Sequence, residues 1–404
     1  MRTSVIILLA LLLCASSSFS PHLASHLAAN SASYLGYWHR YQPHSIDYQS
    51  LNQAQLRVLA GQSVAPAQLA LAVKLLNDHR VEDATPYWQA ALSHQNDTQA
   101  VQWQQLTKRL LLNEQWHSLT TISQHRALSE EVAQPLLMHQ GVPPSRITTD
   151  YAQHHDFEVR LGAIEARQCD YNILLLADHA QGIVRLKQLR ERYLAKAEPQ
   201  PGLMCLSKPV YMGSQLDCTS SRGGYVRCNW QPLAEQPSRL PPGFDFIVMM
   251  TKQGRANVQA GVMQLSTEAP YHVFLHELMH FAGFTDEYPG PKVQQHACTD
   301  KGQIYANLYV DDTRPSGWYK SDFCNNGRGY KPTDKISIMQ HSEVGLSPLY
   351  RRLWVKQLRQ HSDELLRYQD YFHRLSALPI WLQRHPLATH GAGEGRTTIN
   401  QANN

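Results

Sequence analysis

The segment HELMHFAGFTDEY, residues 276–288, constrains the fold of this chain more than any other stretch of its sequence. His276 and His280 are four positions apart, so both side chains project from one face of a helix, about one turn from each other. Gly283 supplies the left-handed residue that ends such a helix, and Ser266 or Thr267 is predicted to cap its beginning. The chain can then turn back and bring a later side chain towards the two imidazoles.

Two neutral imidazoles at this spacing can bind one zinc ion, at roughly 2.0 to 2.1 Å each. A catalytic zinc needs a third protein ligand and one open position, and Asp286 falls at that place in the order HExxHxxGxxD. Glu277 lies beside the histidines, where it can reach a water at the metal rather than the metal itself. The pattern predicts one catalytic zinc ion held by His276, His280 and Asp286, with Glu277 as the general base and acid.

The residues alone leave the third ligand open. Glu287 follows Asp286 directly and needs only a small change in the turn to reach the metal, and His296 is a further candidate. The remaining alternative is an ordinary helix with surface histidines. A glycine and a carboxylate at fixed offsets from HExxH make such a chance match uncommon.

A second motif lies downstream, in KISIMQHS, residues 335–342. A methionine in an apolar run is usually core filler, so the fragment SIM carries little information by itself. Met339 follows the histidine motif at the distance expected of a Met-turn, a tight turn that packs a thioether beneath zinc ligands. The two motifs therefore strengthen each other.

With these motifs the chain resembles the metzincin zinc proteases, and most closely the astacin family. Astacins carry HELMHxxGFxHE followed by SIMHY, where this sequence carries HELMHFAGFTDE followed by SIMQH. The resemblance covers about residues 169–366 and not the part that precedes them. It implies that His276 and His280 bind zinc, that Glu277 is the base, and that Met339 is the Met-turn residue.

The sequence departs from the astacin pattern at two functional positions. Asp286 replaces the third histidine, as in the small secreted snapalysin-type metzincins. His341 replaces a tyrosine that in astacins steadies the oxyanion; it is predicted to take over that role, to be a fifth ligand, or to be a surface histidine. Glu287 matches the astacin glutamate that pairs with a new N-terminus after activation, although no processing site is visible in this sequence.

The chain is predicted to contain two domains between terminal segments. Residues 51–137 have apolar side chains at helical spacing, punctuated by glycine and proline, and indicate stacked helical hairpins in an all-α domain, 21–145. A small bundle and a tetratricopeptide-like repeat both remain open. The segment GVPPSR, 141–146, is the predicted linker.

After the linker the pattern changes to that of an α+β domain, 146–375, with a twisted, mostly parallel sheet, the histidine helix and the Met-turn. A helix is predicted over 182–196, and AGVMQLS is interpreted either as an edge strand that pairs with substrate or as an interior strand. The predicted strands are CDYNILLLAD (169–178), KPVYM (208–212), FDFIVMM (244–250) and AGVMQLS (260–266).

The ends of the chain indicate export. Residues 1–20 have Arg2, a short apolar run and then small residues, which is the layout of a signal peptide with no stable membrane span after cleavage. Residues 376–404 are predicted to be a flexible tail. The six cysteines after Cys14 lack CxxC spacing, so three disulfides are favoured, with Cys218 to Cys228 and Cys298 to Cys324 suggested by proximity.

Composition limits the function further. A formal net charge of +4 over 404 residues, without a basic run interleaved with aromatics, argues against a nucleic-acid partner. Together with the resemblance, the sequence predicts a periplasmic or extracellular zinc endopeptidase that acts on a protein or peptide, with a helical half that docks a protein partner or shields the cleft as a pro-region. A non-catalytic binding module with a structural zinc site is the alternative.

Overall fold

The computed structural model describes residues 35–36, 39–40, 46–94, 99–219, 224–289 and 292–377. The predicted signal peptide and residues 378–404 of the predicted tail lie outside these described residues. The chain divides into two compact units, Met1–Leu136 and Leu137–Asn404. The division falls inside a helix, ahead of the boundary at residue 145 that the sequence predicts.

The first unit is built from helices joined by short turns. Helix α2 packs against α1, α3 and α4, and its leucines Leu69, Leu71 and Leu75 are fully buried at the centre of the unit's core. Asn52 and Gln55 form a capping box that begins α1. The helices are α1 (Gln53–Gly61), α2 (Ala65–Asn77), α3 (Val81–Leu92), α4 (Ala100–Leu112), α5 (Trp116–Ser123) and α6 (Glu130–His139), the last of which continues into the second unit.

The second unit is organised around a five-stranded sheet with the order β2-β1-β3-β5-β4. β1, β2, β3 and β5 are parallel, and β4 runs antiparallel at one edge. Helix α8 connects β1 to β2, as a parallel pair requires a crossover. The bounds are β1 (Tyr171–Ala177), α8 (Ala180–Ala195), β2 (Met204–Tyr211), β3 (Phe246–Thr251), β4 (Asn257–Gln259) and β5 (Val262–Ser266).

The predicted strands agree with this sheet, except in the position of AGVMQLS. Its residues form β5, which pairs with β3 on one side and with β4 on the other, so the edge-strand interpretation is wrong. β3 and β5 are buried along their whole length, which explains their continuous apolar sequences. The edge strand on the β5 side of the sheet is the short β4. The segment that leads into β4 already pairs at Arg255 with Gly224 and Tyr225.

Residues of the predicted linker belong to the second unit and are held in place there. The carbonyl of Val142 accepts a hydrogen bond from the Tyr211 hydroxyl at 2.8 Å, and the carbonyl of Gly141 accepts from Ser214 Oγ at 2.8 Å. The two prolines of this segment therefore follow the end of helix α6 and do not mark a free connection.

The sequence did not predict a second, four-stranded antiparallel sheet with the order β6-β7-β9-β8. Its strands have two to four residues, too short for a periodic signal. Leu308, Val310 and Phe323 are fully buried beside the Cys298–Cys324 disulfide and form its small core. The strands are β6 (Gly302–Tyr305), β7 (Leu308–Val310), β8 (Tyr319–Lys320) and β9 (Gly329–Lys331).

The remaining helices of the second unit include the one that carries the histidines. They are α7 (Thr149–His154), α9 (Gln231–Ala234), α10 (Tyr271–His280), α11 (Pro348–Gln360) and α12 (Tyr368–Ala377). Within the described residues the chain is thus an α+β fold with twelve α-helices and a mostly parallel five-stranded sheet. None of the helices in the described part is both long and apolar enough to cross a bilayer.

Three disulfides link the six cysteines of the second unit. The predicted pairs Cys218–Cys228 and Cys298–Cys324 are confirmed, and the third bridge joins Cys169 to Cys205. The third bridge ties the approach to β1 to its neighbour β2, where residues adjacent in space are far apart in sequence.

Candidate metal centre

Helix α10 presents two histidines on one side and packs its apolar side chains on the main sheet. Phe274 and Leu278 are fully buried, and the ring of Phe281, just after the helix, stacks on Phe246 of β3 with centroids 4.4 Å apart. The helix begins at Tyr271 and not at Ser266 or Thr267, so the predicted cap is wrong. Pro270 is extended at the N-cap position, and Ser266 still pairs with β3.

Both imidazoles are fixed by backbone carbonyls. His276 Nδ1 lies 2.8 Å from the carbonyl oxygen of Ile338, and His280 Nδ1 lies 2.9 Å from that of Phe284. A carbonyl oxygen only accepts, so each Nδ1 carries the proton in these bonds. The Nε2 atoms are therefore available to coordinate a metal, in the arrangement by which protein structures commonly orient histidine ligands.

Gly283 turns the chain back towards the histidines. Its φ of +74° is the left-handed conformation that glycine adopts without strain. The returning segment is fastened by Asn307, whose side chain accepts from the Thr285 amide at 2.9 Å and donates to the Thr285 carbonyl at 2.8 Å. Asp286 follows Thr285 directly, so this clamp determines where its carboxylate lies.

Three ligand atoms meet at this point, and we call His276, His280 and Asp286 the ligand triangle. The two Nε2 atoms are 3.2 Å apart, and Asp286 Oδ1 lies 3.1 Å from His276 Nε2 and 3.5 Å from His280 Nε2. Ligands of a tetrahedral zinc ion, each roughly 2.0 to 2.2 Å from the metal, are about 3.3 to 3.5 Å apart. The ligand triangle therefore has the dimensions of one face of such a site.

The charge state of Asp286 agrees with a cation at this position. Its Oδ1 is buried and lacks a hydrogen bond of acceptable geometry within the described structure. Burial by itself would raise the pKa of the Asp286 carboxyl, but the two imidazoles outweigh burial and hold that pKa well below its ordinary value. A buried anionic oxygen is costly unless a positive charge compensates it. Protonated imidazoles supply that charge in the metal-free centre, and a metal ion between the three ligands would take their place.

The histidines respond to the same carboxylate. Burial lowers the pKa of His280, but the interaction with Asp286 dominates and raises it to about 9. The pKa of His276 is raised in the same way, against the effect of its burial. Protons and a metal ion therefore compete for the same place.

Glu277 is buried beside the ligand triangle, with 7% of its surface exposed. Burial raises the pKa of its carboxyl, while the nearby charges of His280 and His276 oppose that rise. Because it follows His276 on the helix, its side chain projects at a different angle from the two ligands. It is thus near the centre without being one of the three converging ligand atoms.

The predicted Met-turn lies directly behind His276. Residues 338–340 form a turn in which the amides of Gln340 and His341 both bond to the carbonyl of Ser337, at 3.0 and 2.9 Å. Met339 is fully buried in the core that also contains Leu278. The turn presents the carbonyl of Ile338 to the His276 ring, so it orients one of the ligands.

Neither alternative third ligand joins the ligand triangle. The Glu287 carboxylate is used elsewhere: Oε1 accepts from Asn307 at 2.9 Å and from the Tyr350 hydroxyl, and Oε2 accepts from Ser337 at 2.6 Å. Lys331 Nζ lies 3.5 Å from Oε2. His296 is exposed, in a 3-10 segment ahead of β6.

The structure distinguishes His341 from Tyr288, a residue that the sequence analysis did not select. His341 is exposed, and its ring makes no hydrogen bond or ion pair with the residues that the structure describes. Tyr288 is itself 43% exposed but lies close to Asp286. Its partial burial, followed by the negative charge of Asp286, raises the pKa of its phenol well above the ordinary value. The available signal in the sequence was the position of Tyr288 at the end of the histidine motif, two residues after Asp286.

Comparison with other proteins adds no relative. The chain matches no family model, no curated protein and no solved structure.

Proposed function

We propose that this chain is an exported zinc-dependent endopeptidase that hydrolyses peptide bonds of a protein or peptide substrate. The observation that carries the proposal is the ligand triangle, in which two oriented imidazoles and a buried carboxylate oxygen converge at zinc-like spacing beside Glu277. The likeness of the histidine motif and the Met-turn to metzincins supports peptide hydrolysis as the reaction. Three disulfides support an oxidising compartment.

Each side chain at the centre has a distinct role in this proposal. When bound, zinc would supply Lewis-acid polarisation of the scissile carbonyl and lower the pKa of a water molecule. Glu277 accepts a proton from that water as the water oxygen attacks the carbonyl carbon. Glu277 then delivers the proton to the leaving amine as the C–N bond breaks. Tyr288 donates a hydrogen bond to the carbonyl oxygen as it becomes negative.

The choice of Asp286 as the third ligand follows from the partners of its neighbour. Glu287 would have to abandon three hydrogen bonds and its contact with Lys331 to reach the metal. Asp286 needs no such rearrangement, since its Oδ1 already lies between the imidazoles. Asp286 is an anionic ligand, so the metal centre carries less positive charge than with three imidazoles, and Glu277 becomes more necessary as a base.

The test is Glu277→Gln in the full exported chain, with Glu268→Gln as the matched control. Glu268 is exposed and precedes α10, so the same chemical change there leaves the centre intact. We expect Glu277→Gln to retain one zinc ion per chain and to lose casein cleavage by roughly 100-fold to 10,000-fold, the usual contribution of a general base. Glu268→Gln should cleave at the parental rate.

Two results would contradict the proposal. Parental cleavage by Glu277→Gln would exclude Glu277 as the base. If both the parental chain and Glu277→Gln bind zinc and neither cleaves casein, the chain would be a non-catalytic module with a structural zinc site. Zinc content is measured by atomic absorption, and cleavage with and without a chelator.

A further inference from the structure

The Glu287 cluster, defined as Glu287, Asn307, Lys331, Ser337 and Tyr350, is a buried polar network behind the ligand triangle. Glu287 is 1% exposed, and its four partners lie in four separate segments of the second unit. A buried carboxylate is tolerated only when hydrogen bonds and an opposite charge compensate it. Here both are present, so the carboxylate is held in one orientation.

The members of the cluster are also anchored to residues around the cluster. Lys331 is 5% exposed and donates to the carbonyl of Lys335 at 3.0 Å and to Gln340 at 2.6 Å. Asn307 is fully buried and clamps the Thr285 backbone with the rest of its side chain. A fully satisfied network of this kind specifies one arrangement, because any displacement leaves a buried polar group without a partner.

Two connections lead from Glu287 to the metal ligands. Ser337 donates to Glu287 Oε2 at 2.6 Å, and its hydroxyl oxygen accepts from the Met339 amide at 3.1 Å, which fixes the turn that presents the Ile338 carbonyl to His276. The Glu287 amide also donates to the Met339 carbonyl at 2.9 Å. The second connection is covalent, because Glu287 follows Asp286.

We propose that Glu287 is a positioning residue for the metal centre, which holds Asp286 and His276 at coordinating distance through the Glu287 cluster without touching the metal itself. The inference rests on the proposed zinc site and deepens it. Residues behind metal ligands typically change metal affinity by about 10-fold to 100-fold when replaced. A merely structural Glu287 would change the stability of the fold and leave zinc affinity as it is.

The test compares Glu287→Gln with Glu198→Gln in the full chain. Glu198 is an equally suitable buried carboxylate, 4% exposed, which binds Arg351 through both oxygens at 2.7 Å. Zinc affinity is measured by competition with a chelator of known affinity, on samples whose circular dichroism shows the folded state. We expect Glu287→Gln to bind zinc about 10-fold to 100-fold more weakly, and Glu198→Gln to stay within about twofold, since it lies outside the cluster.

A spectroscopic measurement separates a displaced ligand from a loss of folded protein. Cobalt is substituted for zinc, and the visible absorption of the cobalt centre reports its coordination geometry. We expect this band to shift in Glu287→Gln and to stay unchanged in Glu198→Gln. Unchanged zinc affinity and an unchanged band in Glu287→Gln would overturn the inference.

If Glu287→Gln does not fold, the variant Tyr350→Phe tests the same inference. It removes one hydroxyl that donates to Glu287 and preserves the ring. Loss of one hydrogen bond predicts zinc binding about 3-fold to 10-fold weaker, whereas parental affinity would overturn the inference. If the unmodified chain binds no zinc, the proposed function itself fails, which is a different outcome from a variant that binds as well as its parent.

Discussion

Asp286 and Glu287 are consecutive carboxylates in opposite environments. Glu287 is surrounded by hydrogen-bond donors and a lysine, while Asp286 Oδ1 is buried between two imidazoles without a well-formed hydrogen bond. In a folded protein nearly all buried polar groups are satisfied, so an exception calls for an explanation. The difference indicates that Glu287 organises the fold, whereas Asp286 is placed where it could hold a cation together with the two imidazoles.

The contrast also explains how an unsatisfied centre is maintained. Neighbouring imidazoles and a carboxylate would relax towards better hydrogen bonds if the backbone allowed it. The Asn307 clamp, the Met-turn and the Glu287 cluster prevent that relaxation, because each is fully bonded. A well-satisfied region thus stabilises a poorly satisfied one, as is expected of a functional site.

The largest expected effect is on zinc binding, in Asp286→Asn. Loss of a charged ligand should weaken zinc binding by more than about 100-fold, the upper end of what replacement behind the ligands produces. The neighbouring change Glu287→Gln is the matched control, and it should weaken zinc binding by only about 10-fold to 100-fold. Chelator competition measures both, and a ranking in the opposite order would mean that Glu287 is the ligand.

In the metal-free chain the order of the two variants should reverse: Glu287→Gln should destabilise the fold more than Asp286→Asn does. Glu287→Gln leaves the buried Lys331 without its counter-charge and should lower the free energy of unfolding by about 3 to 5 kcal/mol. In Asp286→Asn, at pH 8, the imidazoles can become neutral, and we expect a loss below about 1.5 kcal/mol. Urea denaturation in the presence of a chelator measures both free energies of unfolding. Equal losses would mean that Asp286 stabilises the fold as much as Glu287 does, which contradicts the comparison.

The smallest effects concern residues at the edge of the ligand triangle. Tyr288→Phe should lower kcat about 10-fold with little change in KM, because it removes one hydrogen bond that strengthens as the carbonyl oxygen becomes negative. His341→Ala should leave kcat within about twofold, since its ring is exposed and makes no hydrogen bond or ion pair in the described structure. If the two variants show the opposite order, His341 rather than Tyr288 steadies the oxyanion, as the astacin resemblance first suggested.

Local sequence spacing was sufficient where the structure depends on neighbours in the chain. The four-residue separation of His276 and His280, the left-handed Gly283 and the position of Met339 each describe a short segment, and each is found where the pattern indicated. The buried strands were recognisable for the same reason, since a strand covered on both faces is apolar throughout. The predicted cap of α10 was wrong because Ser266 belongs to β5 and pairs with β3, a tertiary contact that the local sequence does not show.

What the sequence determined by itself is therefore the set of side chains that can bind and act on a metal, because helix periodicity and one glycine bring them to the same side. Only the tertiary structure places Asp286, and not Glu287, between the two imidazoles. The partners of Glu287 come from positions 307, 331, 337 and 350, and nothing in their local pattern marks them as neighbours. Adjacent carboxylates have the same chemistry in a sequence, and they acquire different functions only from the groups that folding places around them.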